Sequence, residues 1–162
     1  MIIWIDRNLT LAIHERQLAE HGGASGVRDE TLLESALARP QQRHAYGDPP
    51  PDLAALAASL AHGLARNHPF VDGNKRTAHV CYRTFLLLNG SELLASDEDK
   101  YVAMLSLAAG ELSEDDFAAW LRPRLKPRKP HGVHEKPGRY VAKRRVQRTV
   151  RKTVERGGKA WP

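Results

Sequence analysis

The chemistry in this 162-residue chain concentrates in ten consecutive positions, His68-Pro69-Phe70-Val71-Asp72-Gly73-Asn74-Lys75-Arg76-Thr77. His68 is a residue type that can take a proton from a hydroxyl near neutral pH. Pro69 disfavours the helical conformation at the residue before it, so the chain turns at His68. Phe70 is an apolar anchor for the turn. Gly73 gives the backbone access to conformations other residues resist, and a helix can begin at Gly73-Asn74. A glycine turn before a helix N-terminus presents free N–H groups and the positive end of the helix dipole, which together make an anion site. Asn74, Lys75 and Arg76 add side-chain donors and two cations around it. Asp72 has the wrong sign for an anion site unless a cation intervenes, and Mg²⁺ is the usual one. Base, metal ligand, phosphate nest and cations in one short segment make a constellation for phosphoryl or nucleotidyl transfer. Each residue alone also has an ordinary structural reading, as a helix-end histidine, a turn, a solvated face or a cap. Their convergence on one helix N-terminus is what points to phosphate chemistry.

The flanking elements read as helices. Thr10 caps a first helix that Gly22-Gly23 stops, with Leu11, His14 and Leu18 on one face. Ile2 to Ile5 has the composition of a short strand. Asp29 opens a second helix with Leu32, Leu33, Ala36 and Leu37 inward, and Pro40 is expected to end it. The segment from Pro40 to Pro51, with three consecutive prolines, reads as a loop or flap. A third helix near 52–67 carries Leu53, Leu56, Leu60 and Leu64 as an apolar stripe. A fourth runs from about Asn74 to Asn89, with Ala78, Cys81, Phe85 and Leu88 inward. Leu93-Leu94 reads as a short extended piece. Ser96 and Ser113 open two further helices with capping boxes of the Ser-x-x-Asp kind. Tyr101, Met104, Leu105 and Ala108 face inward on the fifth, and Phe117, Trp120 and Leu121 on the sixth. No alternating run is long enough for a sheet. His14 reads as a core histidine rather than a catalytic one, and His62 and His79 as surface or packing residues. Arg28, Asp29 and Arg39 read as caps and ion pairs around the second helix.

Charge divides the chain in two. Residues 1–122 hold 11 basic and 17 acidic residues, and residues 123–162 hold 14 basic and 2 acidic. The expected organisation is an acidic helical domain, 1–122, carrying a basic C-terminal extension, 123–162, that is disordered on its own. Prolines at 123, 127, 130 and 137 interrupt the extension, and its weak helical signal, Val146, Val150 and Val154, lacks an apolar face. A single cysteine, Cys81, excludes an intrachain disulfide framework. No apolar run approaches the ~20 residues of a membrane span, and no secretory signal is recognisable. The expected setting is the reducing cytoplasm, with no membrane partner.

The ten-residue segment resembles the signature of the Fic/Doc superfamily: His-Pro-Phe, then an acidic residue, Gly or Ala, Asn, a variable position and Arg. His68, Phe70, Asp72, Asn74 and Arg76 match it. The variable position is Gly in the AMP-transferring Fic enzymes; here it is Lys75, as in the Doc branch, the death-on-curing toxins. Gly26-Val27-Arg28-Asp29 and the run from Leu32 to Pro40 resemble the same family, as do Gly110-Glu111-Leu112-Ser113 and Trp120-Leu121. The resemblance covers about residues 2–122. It implies a mostly α, Fic/Doc-type bundle of about six helices, with a short target-docking flap between helices two and three.

The resemblance also implies an activity: a toxin of a type II toxin–antitoxin system that uses Mg²⁺ and ATP as a kinase. Its γ-phosphate would pass to a threonine of elongation factor Tu and so halt translation. His68 would be the base and Asp72 would hold Mg²⁺. Gly73, Asn74, Lys75 and Arg76 would hold phosphates, with Lys75 and Arg76 also catalytic. No Ser or Thr is followed four residues later by Glu, so the self-inhibitory helix of some Fic proteins is missing from the pattern. A Phd-like antitoxin is the implied partner. The alternatives are AMP transfer to a protein hydroxyl, and a non-catalytic protein contacting nucleic acid or ribosomes through the basic tail.

Overall fold

The computed structural model describes residues 1–128; the expected disorder of the extension falls mostly outside the described residues. Six α-helices follow in order: α1 Arg7–His21, α2 Glu30–Tyr46, α3 Leu53–Asn67, α4 Asn74–Leu88, α5 Asp97–Ala109 and α6 Glu114–Leu121. This is the expected mostly α bundle. Five of the six begin at a side-chain cap, from Asp6, Asp29, Asp52, Ser96 and Ser113, each accepting a bond from the backbone N–H three residues on. The sixth, α4, begins at Gly73 with no side-chain cap.

The two central helices carry the motif between them. α3 packs against α2, α4 and α6, and α1 packs against α4. The leucine stripe of α3 is fully buried at Leu56, Leu60 and Leu64. Gly63 lets α2 approach closely, since a Cβ there would lie 3.1 Å from the Ala36 backbone. In α4 every residue from Thr77 to Leu86 is buried, including Thr77, His79, Arg83 and Thr84. Leu88, expected inward, is only half-buried. Polar residues around a buried helix mask its position from a pattern-based reading.

Several expectations need correction. The cap of α1 is Asp6, whose carboxylate accepts from Leu9 N–H at 2.8 Å. Thr10 lies a turn inside, buried, its hydroxyl donating to the Asp6 carbonyl. The inward face of α1 is Thr10, Ile13, His14 and Gln17, a half-polar set that its leucines do not reveal. Ile2 to Ile5 forms no strand; the N–H and C=O of Ile3 bond instead to the Asn89 amide, at 2.8 and 2.9 Å. Pro40 does not end α2, which continues to Tyr46. An internal proline costs a helix about 3 kcal/mol, and here Pro40 is buried with Leu33, Ala36 and Leu37 on the face toward the core. On α5 the buried residues include Lys100, Ala103 and Leu107, while Tyr101 and Leu105 are only half-buried.

A small sheet also forms. Residues Ser91–Leu93 (β1) pair antiparallel with Leu125–Pro127 (β2), Glu92 opposite Lys126. A 3₁₀ turn at Arg122–Arg124 leads into β2, and Arg128 N–H reaches the Gly90 carbonyl at 2.8 Å. The described fold thus carries on past Arg122. Among the described residues, no helix is long and apolar enough to cross a membrane.

Candidate active site

The motif occupies the turn between α3 and α4. α3 ends at His68, whose backbone is left-handed at φ 49° and ψ 56°. Pro69 disfavours the right-handed helical conformation there, and the left-handed one His68 takes instead is costly for a residue with a Cβ. The strain holds the imidazole outside the helix, exposed, with no hydrogen-bond partner among the described residues. Arg28 secures the turn from below. Its guanidinium donates to the carbonyls of His68 (2.7 Å) and Asn67 (2.9 Å), covering the end of α3. Arg28 is therefore structural, as expected, but it caps the third helix and not the second. Asp29 caps α2 as expected, and Arg39 pairs with Glu114 of α6.

The next residues form a rigid hook. Phe70 is buried. The Asn74 amide closes on its backbone, accepting from Phe70 N–H at 2.9 Å and donating to Phe70 C=O at 3.0 Å. This corrects the expected role of the Asn74 side chain: both ends of the amide serve the loop, and only the Asn74 backbone N–H faces the uncapped helix start. Gly73 sits at φ 75°, a left-handed conformation that glycine adopts without steric penalty. The first-turn amides of α4 meet no capping side chain, which is the arrangement an anion site needs.

Asp72 lies at the edge of this nest. One carboxylate oxygen accepts from Gly73 N–H at 2.8 Å and the other from Ala24 N–H at 3.3 Å. The Gly73 bond, the Ala24 bond and the nearby charges of Arg76 and His14 hold its carboxyl below the usual carboxylate range. It is an anion at neutral pH. Each oxygen keeps a lone pair for a cation. No group of three or more His, Cys, Asp or Glu that could hold a metal occurs among the described residues. One carboxylate suits a Mg²⁺ that brings phosphate and water oxygens with it, rather than an ion caged by protein.

The cations differ. Lys75 is exposed and forms no ion pair among the described residues. Arg76 is tethered, with one nitrogen donating to Gly22 C=O at 3.1 Å at the end of α1. The structure thus gathers His68, Asp72, Gly73, Asn74, Lys75 and Arg76 about one helix start.

The second wall of the site is the connection between α1 and α2. Val27 bridges Phe70 in antiparallel fashion. Val71 N–H donates to Gly26 C=O at 3.1 Å, and the Arg28 and Asp29 N–H groups both reach Pro69 C=O. The α2–α3 connection, expected to be the target-docking flap, is elsewhere. It is reduced to residues 47–52 and lies at the opposite end of α3, about 22 Å away at 1.5 Å per residue. Sequence reasoning gave the α1–α2 segment no place beside the motif loop. Its signal was the pair of glycines at 22–23 and Gly26, all at positive φ.

Of the remaining histidines, His79 is wholly buried, and desolvation, then Arg83 and Lys100, push its pKa well below the ordinary value. His62 is half-buried and is likewise lowered by desolvation. Both are packing residues. His14 is buried too, but its ring contacts the motif loop, a partnership across 58 residues that no local spacing reveals.

Comparison with known proteins agrees with this geometry. The Fic/DOC family profile matches residues 4–86, just over half of the chain. The chain belongs to the Fic/DOC family. It is 46% identical over 103 residues to "Toxin Doc" of Mycolicibacterium smegmatis (strain ATCC 700084 / mc(2)155), covering 62% of this chain and 78% of that protein. It is 35% identical over 114 residues to "Protein kinase doc" of Escherichia phage P1, covering 69% of this chain and 87% of that one. The Fic/DOC match spans α1 to α4 and so includes both walls of the site.

Proposed function

We propose that this chain is a Doc-type toxin and a Mg²⁺- and ATP-dependent protein kinase. Its substrate is a threonine hydroxyl of a translation factor, with elongation factor Tu as the expected target. The observation that carries this reading is the exposed His68 ring beside an uncapped α4 N-terminus, with Lys75 in its first turn, neither side chain having a hydrogen-bond or ion-pair partner among the described residues. The names of the two relatives, a toxin and a protein kinase, support it.

The roles follow from the geometry. Bound Mg-ATP supplies the phosphoryl group and part of the charge neutralisation. Asp72 would hold the Mg²⁺. The first-turn amides of α4, with Lys75 and Arg76, take up phosphate charge. Arg76, already tied to Gly22, is the fixed donor, and Lys75 the adaptable one. His68 accepts the threonine proton as the new O–P bond forms and the bond from the γ-phosphorus to ADP breaks. The Lys75 stem occupies space that glycine would leave open, a physical reason for a different nucleotide orientation from that of AMP-transferring relatives. The target segment lies extended along the α1–α2 connection, adding main-chain hydrogen bonds. A Phd-like antitoxin covers the same opening, and the expected compartment is the cytoplasm.

The test is intact-mass analysis of elongation factor Tu after incubation with the full chain and Mg-ATP, with His68→Ala as control. A gain of about 80 Da that the control lacks is the expected result. A gain of about 329 Da would replace phosphorylation by AMP transfer. No gain, with toxicity intact, would overturn this target and turn attention to the basic extension.

A further inference from the structure

His14 is 3% exposed and stands in α1, yet its side-chain hydrogen bond and its ring stack are both with the motif loop. Its ring lies parallel to Phe70, at 3.8 Å between centroids and 9° between planes. Its Nε2 lies 2.8 Å from the Asp72 carbonyl oxygen. A carbonyl only accepts, so Nε2 carries the proton. We propose that His14 is a positioning residue that fixes the orientation of the Asp72–Gly73 peptide and thereby forms the phosphate nest. This rests on the phosphate-transfer reading of the same loop.

The argument is geometric. A trans peptide is planar, and its C=O and N–H point in opposite directions. The His14 bond draws the Asp72 carbonyl into the core. The N–H of Gly73 must then point outward, where the Asp72 carboxylate accepts it at 2.8 Å. That single orientation sets the carboxylate at the edge of the nest and leaves no carbonyl dipole facing it. Gly73 can adopt several backbone conformations, so the turn itself does not forbid the flipped peptide. The flip would place a carbonyl oxygen toward the phosphates and release the carboxylate. The Phe70 stack fixes the imidazole plane, and with it the direction of the donor.

The test separates donor from packing. His14→Phe keeps an aromatic ring and removes the donor. His14→Gln keeps a donor and removes the ring. The first readout is the Gly73 amide cross-peak in the ¹⁵N–¹H spectrum of the full chain without nucleotide. The second is Mg-ATP affinity by calorimetry. His14→Phe should move the Gly73 cross-peak and weaken Mg-ATP binding about tenfold, as expected for one lost buried hydrogen bond. His14→Gln should restore both toward wild type, despite its poorer packing. A Gly73 cross-peak and an affinity unchanged in His14→Phe would overturn the proposal. So would equal losses in both variants that track a fall in thermal midpoint, because that is the behaviour of a packing residue. Should phenylalanine fail to fold, His14→Gln decides alone: a retained Gly73 signal supports the donor role, and a displaced one in a folded protein refutes it. Should wild type not bind Mg-ATP, the kinase reading fails, while the cross-peak comparison still decides the role of His14.

Discussion

The two ends of α3 are built to different rules. At its start, Asp52 caps Ala55 N–H at 2.9 Å and pairs with Arg122. Further along α3, beside His62, Glu114 takes both Arg39 and Arg43. At its finish, His68 is left-handed, α4 has no side-chain cap, and the exposed His68 and Lys75 side chains have no ion-pair or hydrogen-bond partners among the described residues. One end is closed electrostatically and the other is held open. The difference shows where this fold spends order without satisfying charge, which is the mark of a site awaiting a ligand.

The sharpest way to break that comparison is at His68. His68→Gly removes the proposed base and relieves the left-handed backbone. Transfer to the target should fall about 10²- to 10⁴-fold. Stability should stay level or rise by up to about 1 kcal/mol, since glycine accepts φ near +50° without penalty but loses more entropy on folding. Urea midpoints and turnover of the same preparation check both halves. A variant that loses stability would show that His68 is structural and that the open end is not strained for function.

Asn74 tests whether the hook, rather than the charges, holds the site. Asn74→Ala strips the two bonds to Phe70 and leaves a buried N–H and C=O without partners. The expected loss is about 1–3 kcal/mol, seen as a lower denaturation midpoint, with a fall in turnover because His68 and α4 lose their fixed separation. Arg28→Met is milder. The carbonyls of Asn67 and His68 lie near solvent and can bond to water instead. About 1 kcal/mol is expected, together with faster hydrogen exchange confined to the turn at the end of α3.

How much of this was legible in the sequence follows from range. The start of α3, the Gly22 stop and the Ser96 and Ser113 caps depend on neighbours within four residues, and such patterns are visible locally. The motif was legible for the same reason, since its ten residues are consecutive. Pro40 misled because its penalty is local while its compensation, the packing of α2 on α3 at Ala36 and Gly63, is not. The Asn74 amide was assigned to phosphate because its partner, the Phe70 backbone, depends on a turn geometry that side-chain types do not encode. His14, Arg28 and the α1–α2 wall were understated because their partners lie 39 to 58 residues away. The β1–β2 pairing joins strands of three residues each, too short for any alternation to register.

The smallest effect belongs to the closed end, and its size is the point. The side chains of Asp52 and Arg122 are about half exposed, so their pairing contributes no more than about 1 kcal/mol. The Arg122 guanidinium, first, and the Ala55 N–H hold the Asp52 carboxyl below its ordinary value of 3.8, against desolvation. The sign follows from linkage. A carboxyl whose pKa is lower in the folded chain stabilises it above the unfolded value, and that contribution is lost as pH falls through the folded value. Asp52→Asn should therefore lower the urea midpoint slightly at pH 7, and the difference from wild type should vanish as pH falls through the folded-state value of Asp52. Asparagine still caps a helix, so the pairing with Arg122 is what the substitution removes. Turnover should not change, because the substitution lies a full helix length from His68. A clear loss of transfer in a stable Asp52→Asn protein would mean that the end of α3 carrying 47–52 takes part in target docking after all, and that the two ends are one site rather than two.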